Sequence, residues 1–373
     1  MSTQAANHPK DLPAIRWGFV LRGVTTWAPL LSLLLLQTIT AWQLKGGGHD
    51  LGGFIASGRL VLTGLDPYGP HPLIYTFDSP FGIIQQVNLN PPAWLPLFAT
   101  LAILEPAALL PWWALVQALG YGLALLILAR LYHPSPLRLA WAVALAGFWG
   151  TLGDGQVYGL VALLVALGWS SLTLGHSWRA GLALGLLVAL KPPFALWALW
   201  LLLRGQRSIV PPALLAGTLA CALPAILYGP IVYWQWLKVS ASVNWLALPG
   251  NGSLPGLGAV LGWAPAGYLA AVFLAIYLGL TGRDQLAGDG LLLCLLASPL
   301  TWAGYTLTLL PLFWRQERWP WLLVLAAALL CLPSGWVWKA GLVWPPVGTL
   351  YVLALLLILA HARSIISTSA KPM

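Results

Sequence analysis

A carboxylate beside the first apolar stretch is the strongest candidate for chemistry in this sequence. Only nine Asp and Glu residues occur among the 373 residues. Asp50 is one of them, and it follows three glycines and a histidine shortly after the apolar stretch 24–44. Ionisable groups near a bilayer are costly unless they are solvated or paired, so membrane proteins keep few of them. Asp50 is therefore a predicted site residue. The alternative interpretation is an N-cap of a helix over about 51–63.

A lysine at a proline break is the second candidate. Lys191-Pro192-Pro193 separates the apolar runs 180–190 and 194–203, and each run is too short for an ordinary span of about 20 residues. Broken helices are tolerated at membrane depth only where the freed backbone faces protein or a water-filled cavity. A lone cation there suits an anionic ligand. The alternative is a lysine that extends along apolar surface to reach the interface.

Composition indicates a polytopic membrane protein. Hydrophobic residues make up 59% of the chain, charged residues 7%, and the mean hydropathy is +0.82. Soluble domains carry about 25% charged residues. The net charge of +9 is spread singly between apolar runs, without the basic patch that marks nucleic-acid binding. We therefore expect a lipid bilayer and no nucleic acid among the partners.

Motifs for metals and cofactors are missing from the sequence. The three cysteines stand far apart in apolar runs, without the spacing of a zinc site or a redox pair. Asp50, Asp66 and Asp78 lack the tight spacing of metal ligands. No P-loop or dinucleotide-binding glycine motif occurs. We expect neither a metal nor a cofactor.

The apolar segments predict about 10–12 transmembrane helices in an all-α protein with one domain over 1–373. The first segment is expected to be a retained signal anchor, because it is long and lacks a clear cleavage site. The stretch 92–131 has the length of two spans, whereas the charge pattern requires an odd number of crossings there. The segments of spanning length lie at 24–44, 92–110, 112–131, 138–152, 157–174, 209–228, 264–281, 288–313, 319–334 and 341–361.

The basic residues orient these segments. Thirteen of the 18 Lys and Arg residues can share the cytoplasmic side, and five fall on the outer side, as the positive-inside rule favours. The tails 1–23 and 362–373 are then cytoplasmic. The outer side collects four polar segments: loop 45–91, in which we expect short interfacial helices, the turn 153–156, the Lys191 break and loop 229–256. We expect loop 45–91, Gln156 and Lys191 to meet in one cavity that opens outward. Any chemistry would take place on the outer side, at the membrane surface.

Five segments, in this order, resemble glycosyltransferase family 87 of the C-type superfamily. Each segment is weak alone, but their joint order over residues 50–311 is fairly specific. They are Asp50-Leu51 with Gly64-Leu65-Asp66-Pro67-Tyr68, Asn90-Pro91-Pro92 with Leu95-Pro96-Leu97, Gly155-Gln156-Val157-Tyr158-Gly159-Leu160, Leu190-Lys191-Pro192-Pro193, and Gly250 to Gly256 with Ser298-Pro299-Leu300-Thr301-Trp302.

Two positions depart from the family pattern. The family usually has Asn at the place of Tyr158, and after Ser-Pro-x-x-Trp its members commonly place His where this chain has Gly304. Tyr305 occupies the following His or Tyr position. If the missing His takes part in catalysis in relatives, its role must be filled differently here.

The resemblance implies a membrane hexosyltransferase at the outer face of the bacterial inner (plasma) membrane, with mannose as the expected sugar. A polyprenyl-phosphate-linked sugar would be the donor, and a glycolipid or glycan the acceptor. Asp50 would act as general base in an inverting transfer, and partial burial would raise its pKa and make it a more effective base.

The other site residues divide between the donor phosphate and the sugars. Lys191, Arg59 and Tyr305 would bind the phosphate, although Arg59 could equally be an interfacial anchor. Contacts to sugar or acceptor are expected from Gln156, Asp154, Asn251, Ser253 and Trp302. Plain turn chemistry is the alternative for the glycine-flanked residues among them.

A transporter or lipid flippase is the alternative function. Broken helices and charges at membrane depth also mark carriers. However, no inverted repeat is visible, and the polar segments collect on one side only. A carrier should present a charged site that is reachable from both faces.

Overall fold

The computed structural model describes residues 48–69, 75–79, 82–244, 250–281, 286–333 and 346–369, together with residues 31, 34, 246 and 248. It is an all-α structure apart from one hairpin, as predicted. The amino-terminal tail and the first predicted span, apart from residues 31 and 34, lie outside the described residues. The helices of the first half are α1 (His49–Leu62), α2 (Leu95–Leu101), α3 (Pro106–Tyr132), α4 (Pro136–Ala144), α5 (Ala146–Asp154), α6 (Tyr158–Thr173), α7 (Ser177–Leu190) and α8 (Ala195–Leu203).

The second half of the chain continues this helical pattern. Short 3-10 helices connect several elements: Pro92–Trp94, Pro192–Phe194, Arg207–Ile209 and Ala303–Leu309. The α-helices are α9 (Val210–Tyr228), α10 (Ile231–Ser242), α11 (Leu254–Val260), α12 (Ala264–Thr281), α13 (Leu286–Ala297), α14 (Leu310–Trp314), α15 (Trp321–Leu329) and α16 (Val347–Ser369).

Long apolar helices confirm a polytopic membrane protein. Among the described residues, four helical stretches are long and apolar enough to cross a bilayer: Pro106–Tyr132, Arg207–Tyr228, Ala264–Thr281 and Val347–Ser364. Shorter apolar helices of 10–17 residues accompany them. The total of 10–12 spans stays a prediction.

The stretch 92–131 contains one long helix rather than two spans. A 3-10 turn and the short α2 come first, and α3 then runs for 27 residues from Pro106. Proline is favoured in the first helical turn, because its missing N–H would be unpaired there anyway. A single crossing at this place agrees with the charge pattern, which required an odd number.

Loop 45–91 differs in part from the prediction. Its first element is a helix, α1, close to the predicted bounds. Farther on, however, two antiparallel strands form a hairpin, β1 (Tyr75–Ser79) and β2 (Gly82–Gln86), in which Tyr75 pairs with Gln86 and Ser79 with Gly82. The strands are rich in aromatic and β-branched residues, which favour extended backbone over a helix.

Glycines bring the helices that flank the site close together. A Cβ on Gly159 in α6 would lie 2.1 Å from the carbonyl oxygen of Gln117 in α3. Gly185 in α7 meets the carbonyl of Ala213 in α9 at the same distance. Small residues allow such backbone approach, and van der Waals packing across these contacts holds membrane helices together. The helices α3, α6, α7 and α9 therefore form a fixed frame below the connections that carry the candidate site.

Candidate active site

The amino-terminal end of α1 places Asp50 against the turn that follows α5. The backbone N–H of Gly48 donates to the carbonyl of Gly153 at 2.7 Å. Gly48 itself precedes the helix with φ 84°, and the helix begins without a side-chain cap. Asp50 lies in the first turn and is not the N-cap. The capping alternative is therefore not what the structure shows.

Two glutamine amides hold the Asp50 carboxylate. Gln156 donates from Nε2 to Oδ2 at 2.5 Å, and Gln86, at the end of β2, donates to Oδ1. Gln86 can approach because Gly53 lies one turn after Asp50, where a Cβ would be 2.9 Å from Cγ of Gln86. Gly155 is also required, since it has φ 72° and a Cβ there would lie 2.5 Å from that of Leu51.

Asp50 and Asp154 have unusual acidities for carboxyl groups. Burial raises the pKa of Asp50 to about 6, against the opposing effects of the Gln156 hydrogen bond, the Lys191 charge and the Gln86 hydrogen bond. Burial and the Asp50 charge raise the pKa of Asp154 to about 7. Two neighbouring carboxyls therefore lose their protons near neutrality rather than near pH 4.

Lys191 lies at the break between α7 and the 3-10 turn that starts at Pro192. The indole of Trp94 donates to the carbonyl of Leu190 at 2.9 Å and fixes the end of α7. The ammonium donates to Oδ1 of Asn90 at 2.7 Å and lies 4.7 Å from the ring centroid of Tyr158. Lys191 is half-buried within these contacts and does not extend along apolar surface.

Asp50 and Lys191 interact through space but form no direct ion pair. Burial lowers the pKa of Lys191 to about 8, and the Asp50 charge opposes this shift. Two ion pairs occur in the described part of the chain, Arg59 with Glu105 and Arg363 with Asp289, so neither of them joins the two candidate groups. The Asp50 carboxylate is therefore held by two glutamine amides, and the Lys191 ammonium by the Asn90 amide and the Tyr158 ring. Both charges lie close enough to influence each other.

Tyr305 is connected to Lys191 through Tyr158. The two tyrosine rings lie 4.9 Å apart at an interplanar angle of 62°. The ammonium contact is made by Tyr158 and not by Tyr305. Gly304 faces the Tyr158 ring so closely that a Cβ would lie 2.1 Å from Cδ2.

A family model decides the class of this protein. The model of glycosyltransferase family 87 matches residues 88–333, about two thirds of the chain. The chain belongs to glycosyltransferase family 87. Searches of curated proteins and of solved structures found no match. Membership in this family supports a membrane glycosyltransferase over the transporter alternative.

The family 87 match covers Asn90, Gln156, Lys191 and Tyr158 but begins after Asp50. The position of Asp50 in the site therefore depends on the structure, which brings α1 against Gln156 and Gln86. It does not depend on the family model.

Three residues of the cluster were not predicted as site residues: Gln86, Asn90 and Tyr158. Asn90 belongs to one of the five segments that resemble the family, but no role was predicted for it. It is buried beside Asn88, and its backbone N–H donates to Oδ1 of Asn88 at 2.9 Å. Gln86 had no sequence signal beyond being polar in an outer loop. The family departure at Tyr158 was the available signal for that residue.

Arg59 is not brought to the cluster. Its guanidinium pairs with Glu105 at 2.9 Å and donates to the carbonyl of Ala102 at 3.1 Å. These contacts connect α1 to the turn before α3. The structure thus agrees with the anchor interpretation and gives no support to a phosphate contact.

Asn251, Ser253 and Trp302 form a separate region. The Asn251 amide donates to the carbonyl of Pro299 at 2.8 Å and accepts from the N–H of Thr301 at 3.0 Å. Ser253 caps α11 by accepting from Gly256 N–H at 3.1 Å. Trp302 packs against Gly250, where a Cβ would lie 2.2 Å from its ring. These contacts are structural and do not reach Asp50.

Within the described ranges, no group of three or more His, Cys, Asp or Glu side chains could hold a metal ion.

Proposed function

We propose that this family 87 glycosyltransferase moves a hexose, with mannose expected, from a polyprenyl-phosphate carrier to a glycolipid or glycan. The reaction would take place at the outer face of the bacterial inner membrane and invert the anomeric centre. The observation that carries the proposal is the arrangement of Asp50 and Lys191, which interact without an ion pair while amides hold each of them.

Asp50 is the general base in this proposal. An acceptor hydroxyl gives its proton to the carboxylate while its oxygen attacks the anomeric carbon. With a pKa of about 6, Asp50 is ionised at pH 7 yet is a stronger base than a carboxylate with an ordinary pKa near 3.9. General-base catalysis typically contributes about 10²–10⁴-fold to the rate.

Lys191 stabilises the leaving phosphate in this proposal. The bond between the anomeric carbon and the phosphate oxygen breaks with its electron pair on oxygen, so the carrier phosphate gains one negative charge. An ammonium has three N–H donors, and the Asn90 bond uses one of them. The remaining donors suit the oxygen on which charge develops, which is where electrostatic catalysis is most effective.

Gln156 and Asp154 contact sugar hydroxyls in this proposal. Oε1 of Gln156 is buried without a hydrogen-bond partner in the part of the chain that the structure describes. Buried acceptors without partners are costly, so a substrate hydroxyl that donates to this oxygen would be favoured. Asp154 carries the second carboxyl beside Asp50 and retains some solvent exposure.

The test is transfer by the purified protein in lipid vesicles. Polyprenyl-phosphate-linked mannose, glucose and galactose are offered in parallel with the matching nucleotide sugars. We expect hexose transfer from a lipid-linked donor only, with retention of activity in a chelator. Transfer from nucleotide sugars, or no transfer from any lipid-linked hexose, would overturn the proposal.

A further inference from the structure

Tyr158 contributes the aromatic part of the Lys191 environment. The ammonium lies 4.7 Å from the ring centroid, and the side-chain Oδ1 of Asn90 accepts from it at 2.7 Å. A cation over an aromatic face is attracted by the ring quadrupole, most strongly where water is excluded. Tyr158 itself is 3% exposed. The ring therefore restricts where the ammonium can lie, and it does so without consuming an N–H donor.

The Tyr158 ring is fixed from two further sides. Tyr305 lies edge-on against it, with the ring centroids 4.9 Å apart. On the other side stands Gly304, where a Cβ would meet Cδ2 at 2.1 Å, Cγ at 2.4 Å and Cε2 at 2.5 Å. Such distances are far inside van der Waals contact, so any side chain at 304 would displace the ring.

We propose that Tyr158 is the positioning residue for Lys191 and that Gly304 exists to admit its ring. The proposal rests on the proposed function, in which Lys191 binds the donor phosphate. The link between the two positions is steric: the ring at 158 occupies the space into which a side chain at 304 would project.

Substitutions at 158 separate an aromatic role from a space-filling one. Tyr158→Phe keeps the ring face and loses only the hydroxyl, so donor KM and kcat should stay within about threefold of wild type. Tyr158→Leu keeps apolar volume but loses the face. A desolvated cation–π contact has a strength that corresponds to about tenfold or more, so we expect kcat/KM for the donor to fall about 10-fold or more.

The pH dependence gives a readout that a space-filling role would not change. The aromatic face favours the charged form of Lys191, so its loss should lower the pKa of that ammonium below the present value of about 8. The alkaline limb of the kcat/KM profile should move to lower pH in Tyr158→Leu and stay in place in Tyr158→Phe. Tyr268→Leu, an exposed tyrosine in α12, is the matched control.

Gly304→Ala tests the dependence between the two positions. We expect a loss similar to that of Tyr158→Leu, whereas Gly279→Ala, where a Cβ meets nothing within 4 Å, should be neutral. The double variant Tyr158→Leu/Gly304→Ala should be no worse than Tyr158→Leu alone, because the alanine acts only through the ring. Multiplied losses in the double variant would overturn the link to Gly304.

Lys191→Ala, measured in parallel, separates the two proposals. If Lys191→Ala impairs donor use and Tyr158→Leu leaves both donor kinetics and the alkaline limb unchanged, the positioning role fails and the proposed function stands. If Lys191→Ala leaves the donor dependence unchanged, Lys191 does not bind the donor phosphate, and both the proposed phosphate role of Lys191 and the positioning role of Tyr158 fail. Should Gly304→Ala not fold, the comparison of Tyr158→Phe with Tyr158→Leu still decides the positioning role.

Discussion

Two polar regions of this glycosyltransferase were both predicted as sites, and they differ in what their polar atoms do. In the network around Asn251, the amide bonds to Pro299 and Thr301, and Ser253 caps a helix. In the cluster around Asp50 and Lys191, Oε1 of Gln156 has no partner among the described residues, and the ammonium has donors left over. The comparison teaches that unused hydrogen-bonding capacity, rather than polarity, separates a candidate site from a structural network.

Apart from loss of the proposed base Asp50, the largest effect should come from loss of the Lys191 ammonium. Lys191→Ala is expected to lower kcat/KM about 10²–10³-fold and to raise donor KM, since it removes stabilisation of the leaving phosphate. Lys191→Arg should rescue only partly, because a planar fork does not reproduce a compact ammonium. Lys238→Ala, an exposed lysine in α10, is the control. Full tolerance of Arg, with unchanged donor KM in Ala, would make Lys191 a structural residue.

Loss of the Gln156 amide should have a smaller effect than loss of Lys191, seen as a shift in the pH profile of kcat/KM. The Gln156 hydrogen bond lowers the pKa of Asp50, so Gln156→Leu should raise that pKa above about 6. Activity falls as Asp50 is protonated, so the acid limb of kcat/KM should move to higher pH. Gln206→Leu serves as the matched change outside the cluster. An acid limb that stays in place in Gln156→Leu would argue against Asp50 as the titrating base.

In the network around Asn251, a substitution should lower stability and leave donor use unchanged. Asn251→Ala leaves the Pro299 carbonyl and the Thr301 N–H without this partner, and each such loss costs about 1–3 kcal/mol. Thermal unfolding should therefore occur at a lower temperature, while donor KM per folded molecule stays the same. Asn244→Ala, at an exposed position, is the control. A raised donor KM without loss of stability would return Asn251 to the site.

Arg59 should show the smallest effect. Its pair with Glu105 is exposed, at 40% and 77% for the two side chains, and such pairs contribute about 0.2–1 kcal/mol. Arg59→Gln should leave donor KM unchanged and lower stability slightly. A clear rise in donor KM would restore the phosphate contact that the sequence predicted.

The sequence predicted the helical membrane class, the break at Lys191 and the approach of Asp50 to Gln156. Strong local signals account for these successes, because long apolar runs and a lysine between short helices have few alternatives. Gln86 and Asn90 escaped prediction, since their contacts depend on how the chain between α1 and α2 folds back. The hairpin was missed for a related reason, because short strands are defined by pairing more than by local sequence.

Asn251 and Arg59 were predicted as site residues, but the structure gives both of them structural partners. A polar residue in a loop indicates a site only where its hydrogen-bond donors or acceptors are not already used by other residues of the protein. The residues that use them are distant in sequence. Thr301 is 50 residues from Asn251, and Glu105 is 46 residues from Arg59. Only the folded arrangement distinguishes them from Asp50.

The most direct test measures turnover and stability together in Asp50→Asn and Asn251→Ala. We expect Asp50→Asn to lose about 10²–10⁴-fold in turnover because the base is removed, and to stay folded. A small fall in the unfolding temperature is expected, since Asn can accept from only one of the two glutamine amides that the carboxylate binds. Asp66→Asn is its matched control, because Asn retains the acceptor for Tyr68 N–H. Asn251→Ala should lose stability and keep its turnover per folded molecule. Wild-type turnover in Asp50→Asn would contradict the assignment of the catalytic centre.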